Sequence, residues 1–360
     1  MVPHYSKVHN RFKLNGHHFN REALKEVAYS LIKEGVPYEQ VTGDFIADWL
    51  NDDDTITVKT SGSTGAPKSI QISKQAMVNS AIATGDFFML QPGNTALNCL
   101  PTDYIAGKMM LVRAMLLGLE IDCVEPSSQP IFDYDKDYDF CAMVPLQLGN
   151  TLDYTSKIKN IIVGGSKIPS QLINRIKTAS SQFYETYGMT ETVTHVALKR
   201  LESKKQKGDS KFNALPNVEF SQDDRQCLVI NAPNVSDKPI VTNDIVELDG
   251  NTNFEWLGRF DNVINSGGVK LFPEQIEAKL ESIIGHRFIF ASQPDDALGE
   301  KLILIVEAKS IDTKEIINKI KAVKTLSKYE IPKAIYSLDK FAETVNGKIQ
   351  RQKTVNSALA

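Results

Sequence analysis

The chain has 360 residues, a length that usually divides into two domains. Its 42% hydrophobic and 24% charged residues are typical of globular proteins, and a formal net charge of −3 gives no sign of a nucleic-acid or membrane-surface partner. No hydrophobic signal segment begins the chain, and the most apolar stretch, Met109 to Leu119, is interrupted by Arg113 and too short to cross a bilayer. Its scattered cysteines lack a CxxC spacing and indicate reduced thiols. We therefore expect a cytoplasmic protein that does not insert into membranes.

Helical spacing of apolar residues predicts two scaffold helices, over residues 20–35 and 38–51. Alternating residues on either side of residues 60–68 predict a hairpin, and Ser73 is placed to cap the next helix. Strand-like and helix-like runs then alternate. The strands are predicted at 95–100, 119–124, 139–144, 159–163 and 182–185, and the helices at 106–118, 145–154 and 169–179. This rhythm predicts a parallel sheet covered by helices on both faces, with ligands at the carboxyl ends of its strands.

The second half of the chain has a different pattern. Residues 200–216 are polar and predict a solvated loop, and three strand-like pieces between 226 and 257 predict a small β subdomain. A further unit is predicted from helices at 273–284 and 313–323 and strands at 287–292, 302–308 and 334–338. We therefore predict an α/β fold with a large N-terminal domain, residues 1–260, and a small α+β C-terminal domain, residues 261–360.

Residues 60–68, with the sequence TSGSTGAPK, are rich in groups that bind phosphate. Glycines let backbone N–H groups approach an anion, and hydroxyls with an ammonium complete the cradle. The candidate ligands are Thr60, Ser61, Gly62, Ser63, Thr64, Gly65 and Lys68. The loop is not a Walker A motif, because Pro67 precedes the lysine where that motif has glycine. Taken alone, such a composition also fits a surface turn.

Other segments carry polar groups after predicted strands. In YGMTE, residues 187–191, an aromatic ring can stack on a base, a hydroxyl can hold a phosphate oxygen and a carboxylate can bind magnesium. Gly164 and Gly165 follow another predicted strand, and Asp244 could accept hydrogen bonds from two ribose hydroxyls. Ordinary turns and a strand-end aspartate explain each of these equally well when it is taken alone.

Three more segments lie near or beyond the inferred domain boundary. Arg259 suits a phosphate or ribose, and Asp261 could act as a pivot. SGGVKLFP, residues 266–273, needs backbone freedom at both glycines, and NGK, residues 346–348, looks like a turn that presents a lysine. A reverse turn and a solvated lysine are the simple alternatives.

Taken in this order, the motifs resemble the adenylate-forming superfamily of acyl-CoA synthetases, adenylation domains and luciferases. TSGSTGAPK resembles its phosphate-binding signature, YGMTE its adenine and magnesium signature, and Asp244 its ribose-binding aspartate. GRFDNVINSGGVKLFPEQIE resembles the hinge with its following loop, and NGK the C-terminal lysine motif. The chain departs from the family pattern at Asn243, where glycine is usual, and at Tyr104, where histidine is frequent. The phosphate motif also begins earlier in the chain than in most members.

The resemblance implies two half-reactions. A carboxylate attacks the α-phosphorus of ATP to give an acyl-adenylate and pyrophosphate, and the thiol of coenzyme A then displaces AMP. Residues 60–68 would hold the β- and γ-phosphates, Thr190 would contact the α-phosphate and Glu191 would bind Mg²⁺. The other nucleotide-binding residues implied are Gly164, Gly165, Tyr187 (against adenine), Gly188, Met189, and Asp244 with Arg259 (at the ribose).

The same resemblance implies a mobile C-terminal domain. Lys348 would bridge the attacking carboxylate and the α-phosphate during the first half-reaction. Rotation about Asp261 would then withdraw it and bring the loop with Gly267, Gly268 and Lys270 against the pantetheine arm of coenzyme A.

Within the superfamily, VINSGGVKLFPEQIE and LPTDYIAGKMM are most similar to o-succinylbenzoate–CoA ligases of menaquinone biosynthesis. That acid has a second carboxylate, for which we predict Lys108 as the cation, with Tyr104 also in the acyl pocket. The alternatives are another aryl- or acyl-CoA ligase, an adenylation enzyme that loads a carrier protein, and a nucleotide-binding module without turnover. The sequence leaves open whether the enzyme is a monomer or a homodimer.

A substitution of Lys348 separates the two half-reactions. We expect Lys348→Ala to abolish pyrophosphate release while largely sparing thioester formation from a supplied acyl-adenylate, because the ammonium neutralises charge only in the first step. Both rates are measured with the same enzyme preparation. Equal loss of the two activities would refute the role of Lys348.

Overall fold

The computed structural model describes residues 2–59, 69–343 and 349–360. Its α-helices are α1 Arg21–Glu34, α2 Pro37–Leu50, α3 Lys74–Phe88, α4 Ile105–Leu117, α5 Pro145–Thr151, α6 Ser170–Ile176, α7 Pro273–Leu280, α8 Thr313–Lys321 and α9 Arg351–Leu359. Short 3₁₀ helices occur at Leu152–Lys157, Thr190–Thr192 and Phe260–Asn262. Among the described residues, no helix is both long and apolar enough to cross a membrane.

Most of the chain's strands belong to two sheets. They are β1 Lys13–Leu14, β2 His17–His18, β3 Thr55–Lys59, β4 Ser69–Ser73, β5 Thr95–Asn98, β6 Glu120–Cys123, β7 Tyr138–Met143, β8 Ile158–Val163, β9 Gln182–Gly188, β10 His195–Leu201, β11 Phe212–Ala214, β12 Glu219–Gln222, β13 Cys227–Asn231, β14 Ile240–Asp249, β15 Asn253–Arg259, β16 Ile264–Ser266, β17 Val269–Leu271, β18 Phe288–Asp295, β19 Gly299–Glu307 and β20 Ala334–Leu338.

The predicted parallel sheet is confirmed. Its order is β1-β6-β5-β7-β8-β9, and each neighbouring pair is parallel. Side chains alternate between two hydrophobic clusters: Phe140 and Ala142 pack with α3 and α4, whereas Cys141 and Met143 pack with α5 and α6. Helices on both faces cover these strands, so the strand ends are where polar loops can gather.

The strands predicted as a small β subdomain are continuous with this sheet. β10 pairs antiparallel with β9, and the order continues β11-β15-β14-β13-β12. The prediction of a solvated loop over residues 200–216 is wrong at β11, because Phe212 is buried and stacks on Phe254 with ring centroids 5.3 Å apart. A strand of three residues is too short to reveal itself by alternation.

The C-terminal residues form a separate sheet. β18 and β19 make an antiparallel pair, β20 joins β19 in parallel, and β16 with β17 completes the sheet. One face packs Leu304 and Val306 against α7 and α8, and the other packs Ile303 and Ile305. These clusters share no buried residue with those of the large sheet. The boundary near residue 261 stays a prediction.

α9, which the sequence pattern did not predict, is tied to this unit by an ion pair. Arg351 donates to both Glu277 oxygens, at 2.8 and 2.6 Å, and also to the Phe290 carbonyl oxygen. Burial raises the pKa of Glu277, and the Arg351 charge opposes that effect. The pair fixes the start of α9 three residues after Lys348 in the sequence.

Removing one member of this pair should destabilise the C-terminal unit. We expect Glu277→Ala to lower its unfolding free energy by about 1.5–3 kcal/mol, because the partly buried Arg351 loses its bidentate charged partner. Glu315→Ala, in an exposed pair with Lys319 at 2.6 Å, is the control and should cost about 0.5 kcal/mol or less. Urea unfolding with hydrogen exchange at β18 and β19 measures both, and equal effects would contradict the assignment.

Candidate functional site

Two predicted binding segments lie outside the described residues. They are the phosphate loop, residues 60–68, and residues 344–348 with Lys348. The strands that flank the phosphate loop are described: β3 and β4 pair antiparallel, with Lys59 opposite Ser69. Ser73 caps α3 by accepting a hydrogen bond from the Ala76 N–H. The predicted hairpin is confirmed in its strands, and the roles of residues 60–68 and Lys348 stay predictions.

A cleft of about 310 Å³ lies at the carboxyl ends of the parallel strands. Loops after β5, β7, β8 and β9 line it, together with one face of α4. Five of the predicted nucleotide-binding residues are among its walls: Gly164, Gly165, Gly188, Met189 and Thr190. The wall also contains Arg113, Thr194 and His195, which were not predicted site residues. We call this space the acid cleft.

The turn after β9 is tightly constrained. A Cβ atom on Gly188 would lie 2.2 Å from the Thr194 carbonyl oxygen, so only glycine fits there. Val193 adopts a φ of +64°, a strained conformation for a β-branched residue. The 3₁₀ helix Thr190–Thr192 is held within this turn, with Thr190 facing the cleft and Glu191 exposed. The local geometry thus presents a hydroxyl and a carboxylate side by side.

Asp244 collects three hydrogen-bond donors. Its Oδ2 accepts from Tyr187 Oη at 2.7 Å, and its Oδ1 accepts from Trp256 Nε1 at 3.2 Å and from Arg259 Nη1 at 3.4 Å. Asp244 is buried in strand β14, whereas Arg259 is half exposed. The predicted residues Tyr187, Asp244 and Arg259 therefore form one cluster. Trp256 joins it, and no sequence signal distinguished this tryptophan from a core residue.

The Tyr187 ring is largely enclosed. It packs at 5.0 Å from Phe254 and 5.8 Å from Phe212, measured between ring centroids. Burial, followed by the charge of Asp244, raises the pKa of Tyr187, so its hydroxyl stays a donor. Tyr187 is not among the residues that line the acid cleft, and its stacking on adenine stays a prediction.

Arg113 is the buried cation of the cleft. It is 2% exposed, and burial lowers its pKa to about 9, so the guanidinium is still charged at neutral pH. Its Nη2 donates to Thr194 Oγ1 at 3.4 Å and its Nη1 contacts Met110 Sδ, whereas Nε is buried without a partner among the described residues. No described acidic side chain forms an ion pair with it. In the sequence, Arg113 stood out only because it interrupts the apolar stretch from Met109 to Leu119.

His195 lies between α3, α4 and the sheet. Its Nε2 is 3.4 Å from Thr84 Oγ1, and Ser80 Oγ is 2.8 Å from Thr194 Oγ1. Burial, followed by the charge of Arg113, lowers the pKa of His195 well below its ordinary value. The imidazole is therefore neutral beside the charged guanidinium, which leaves Arg113 as the positive charge at this end of the cleft.

Neither of the predicted acyl-pocket residues lines the acid cleft, and their contact with the acid stays a prediction. Lys108 is buried on α4, with its Nζ 4.7 Å from the centroid of the Phe45 ring on α2, and it does not line the acid cleft. Tyr104 caps α4 and is 45% exposed. Lys108 follows the strand end closely in sequence, but helical geometry turns its side chain towards α2. Arg113, five residues later, is the α4 cation that faces the cleft.

The predicted hinge residue, Asp261, is linked to strand β14. Asn243 Nδ2 donates to Asp261 Oδ2 at 3.3 Å, and Arg225 Nη1 donates to Asn243 Oδ1 at 2.9 Å. The departure from glycine at Asn243 therefore creates a contact to Asp261. In the following hairpin of β16 and β17, Gly267 and Gly268 have φ values of +57° and +82°. Lys270 lies nearby, with its Nζ 3.5 Å from Gln226 Oε1.

The model for the family described as "AMP-binding enzyme" matches residues 19–226, more than half of the chain. The chain belongs to this family. A crystal structure of an acyl-CoA synthetase (AMP-forming)/AMP-acid ligase II-like protein from Dyadobacter fermentans is 36% identical to it. The match covers 92% of this chain and 97% of the other, with a TM-score of 0.61. The prediction of an adenylate-forming acid–CoA ligase is confirmed at this level.

More distant relatives carry a more specific name. The 2-succinylbenzoate–CoA ligase of Staphylococcus epidermidis is 26% identical over 83% of this chain and 69% of the relative. The structure of O-succinylbenzoate coenzyme A synthetase (MenE) from Bacillus subtilis, in complex with ATP and magnesium ion, is 21% identical. The match covers 83% of this chain and 69% of the MenE chain, with a TM-score of 0.69. The predicted α/β fold is thereby confirmed.

The buried histidine should make the stability of this enzyme depend on pH. Because the native pKa of His195 lies below the unfolded value of about 6.5, the unfolded chain gains a proton as pH falls and the native protein does not. From pH 7 to pH 5 this costs at most about 2 kcal/mol. In urea unfolding, wild type should therefore lose up to this much more stability than His195→Asn between pH 7 and pH 5. His17→Asn, at an exposed position, is the control. A loss of stability in His195→Asn as large as that of wild type would contradict the expectation.

Proposed function

We propose that this ligase joins o-succinylbenzoate to coenzyme A through an acyl-adenylate. The observation that carries the proposal is the buried Arg113 guanidinium at the acid cleft, which has no ion-pair partner among the described residues. A buried charge without a partner is costly, and a second carboxylate on the acid would offset that cost. The names of the relatives at 23–26% identity support the same acid.

Thr194 and His195 complete this end of the cleft. Thr194 Oγ1 accepts a hydrogen bond from Arg113, so it orients the guanidinium, and the neutral imidazole adds no competing positive charge. The reacting carboxylate of the acid would then lie at Thr190, which also lines the cleft. An acid with two carboxylates at its two ends would therefore satisfy both ends of the cleft.

In the first half-reaction, the protein's work is positioning and charge neutralisation. Residues 60–68 would hold the β- and γ-phosphates, Thr190 would contact the α-phosphate, and Lys348 would approach both the α-phosphate and the attacking carboxylate. Asp244 would accept the ribose hydroxyls while Arg259 and Trp256 keep it oriented. Tyr187 would lie against adenine, next to Gly164, Gly165, Gly188 and Met189.

Glu191 is the residue that would hold magnesium. Its carboxylate is exposed beside Thr190, and one carboxylate suffices because Mg²⁺ takes most of its other ligands from phosphates and water. The bound cation would neutralise phosphate charge. The MenE complex with ATP and magnesium ion is consistent with this proposal.

The second half-reaction requires the C-terminal unit, residues 261–360, to turn about Asp261. Coenzyme A would then meet the loop with Gly267, Gly268 and Lys270. The two glycines have left-handed backbone conformations and no side chain that would stand between the loop and the ligand. Several of the described contacts across the boundary are polar. They include Gln275 Nε2 to the Trp256 carbonyl oxygen at 2.9 Å and Lys167 to Glu281 at 3.7 Å. Such contacts can be exchanged at low cost.

The proposal is tested with a panel of acids in a pyrophosphate-release assay, with and without coenzyme A. We expect o-succinylbenzoate to have the highest kcat/KM and coenzyme A to be consumed stoichiometrically. A higher value for a monocarboxylic acid would overturn the substrate assignment. Preference for a phosphopantetheinyl carrier protein over free coenzyme A would overturn the acceptor.

Arg113→Met should separate stability from acid recognition. The substitution removes a buried charge while keeping a similar length, so we expect a Tm equal to or above that of wild type. The KM for o-succinylbenzoate should rise by about 10–100-fold, since a hydrogen-bonded charge pair is lost, and the KM for ATP should not change.

Two further variants complete this test. Arg175→Met removes an exposed arginine of α6, which donates to the Gly149 carbonyl oxygen, and should leave both KM values unchanged. Lys108→Ala tests the prediction made from sequence. If it raises the KM for the acid while Arg113→Met does not, the second carboxylate lies at Lys108.

A further inference from the structure

A second cavity of about 220 Å³ lies behind the acid cleft. It is bordered by α3, by the start of β10, by the segment that follows β11 and by the loop that follows β13, and it is partly open to solvent. Its walls are mainly apolar and include Ile82, Ala83, Leu215 and Val235, with Asp86 at one side. None of the residues given a role in the reaction above, apart from His195, borders it. We call it the rear compartment.

The acid cleft and the rear compartment are separated by a thin partition. Along β10 and the residue before it, Thr194 lines only the acid cleft, Val196 lines only the rear compartment, and His195 lines both. On the facing helix α3, Ser80 lines the rear compartment. Ser80 Oγ lies 2.8 Å from Thr194 Oγ1, so one hydrogen bond joins the two spaces' walls.

The partition is held by polar contacts within an otherwise apolar region. His195 Nε2 is 3.4 Å from Thr84 Oγ1, and Thr84 in turn donates to the Ser80 carbonyl oxygen at 3.0 Å. The imidazole is thus fixed to α3, and it stands next to Arg113, whose charge it faces.

We propose that His195, with the Ser80–Thr194 hydrogen bond, is a partition that sets the maximum length of the acid. Opening it would join the rear compartment to the acid cleft and admit acids with longer apolar tails. The inference rests on the proposed function only in taking the cleft as the acid site. It makes His195 a determinant of substrate size, in addition to its position beside Arg113.

The test compares kcat/KM across straight-chain mono- and dicarboxylic acids of increasing length. For each enzyme, the values are expressed relative to that of its best acid. For His195→Ala we expect the optimum to move to longer chains, with about a tenfold gain on the longest acids relative to the shortest, as methylene recognition allows. Ser80→Ala, which removes the other half of the partition, should shift the optimum in the same direction by less.

A filling variant provides the matched control. Ala83→Phe places a ring in the rear compartment, about one helical turn from Ser80 and outside the acid cleft, so on its own it should leave the length profile of wild type unchanged. Combined with His195→Ala, it should abolish the gain on long acids. Thermal unfolding checks that each variant is folded. If His195→Ala does not fold, the same comparison is made between Ser80→Ala and the double variant Ser80→Ala/Ala83→Phe.

Three outcomes would overturn the inference. His195→Ala and Ser80→Ala could lower activity on all acids equally, which would make the partition merely structural. Ala83→Phe alone could reduce wild-type activity, which would mean that the rear compartment is already occupied by substrate. The double variant could retain the gain on long acids. A wild-type preference for an acid other than o-succinylbenzoate would instead overturn only the proposed substrate, since the length profile needs no particular acid.

Discussion

Burial of the parallel strands on both faces is the constraint on which this site depends. β7 and β8 lie between two hydrophobic clusters, so almost every side chain along them is committed to packing. Polar and backbone groups that must meet a ligand can emerge only where the strands end. The strands are parallel, and their carboxyl ends therefore bring residues from distant parts of the sequence, such as Leu100 and Gly188, to the walls of one cleft.

Arg113 shows how the same core creates a need for a ligand. α4 is apolar along nearly its whole length, and its one arginine is enclosed by Met110, Phe140 and Thr194 rather than by acidic groups. Packing of this kind secures the position of the guanidinium without satisfying its charge. In the proposed function, the free energy that the fold gives up here would become available to an anion that reaches the cleft, so recognition of charge would be built into the core itself.

Much of this architecture can be predicted from the sequence, because its signals are local. Alternation and helical spacing identified the parallel strands and their helices, and glycines next to hydroxyls marked the loops at the strand ends. Lys108 and Arg113 show the limit. Both are cations on one helix, and the choice between them depends on which side of α4 faces Phe45 and which faces the cleft. That choice is set by tertiary packing, as is the pairing of Phe212 with Phe254 that makes β11 a strand.

The three donors gathered on Asp244 have a consequence for nucleotide turnover. Its two oxygens accept from Tyr187, Trp256 and Arg259, so protein donors occupy most of the acceptor positions of this carboxylate. Ribose hydroxyls that bind there would take the place of some of these donors, and the displaced donors would return when AMP departs. An exchange of this kind is nearly balanced in free energy. It would let the pocket bind a nucleotide selectively and still release AMP without a large barrier.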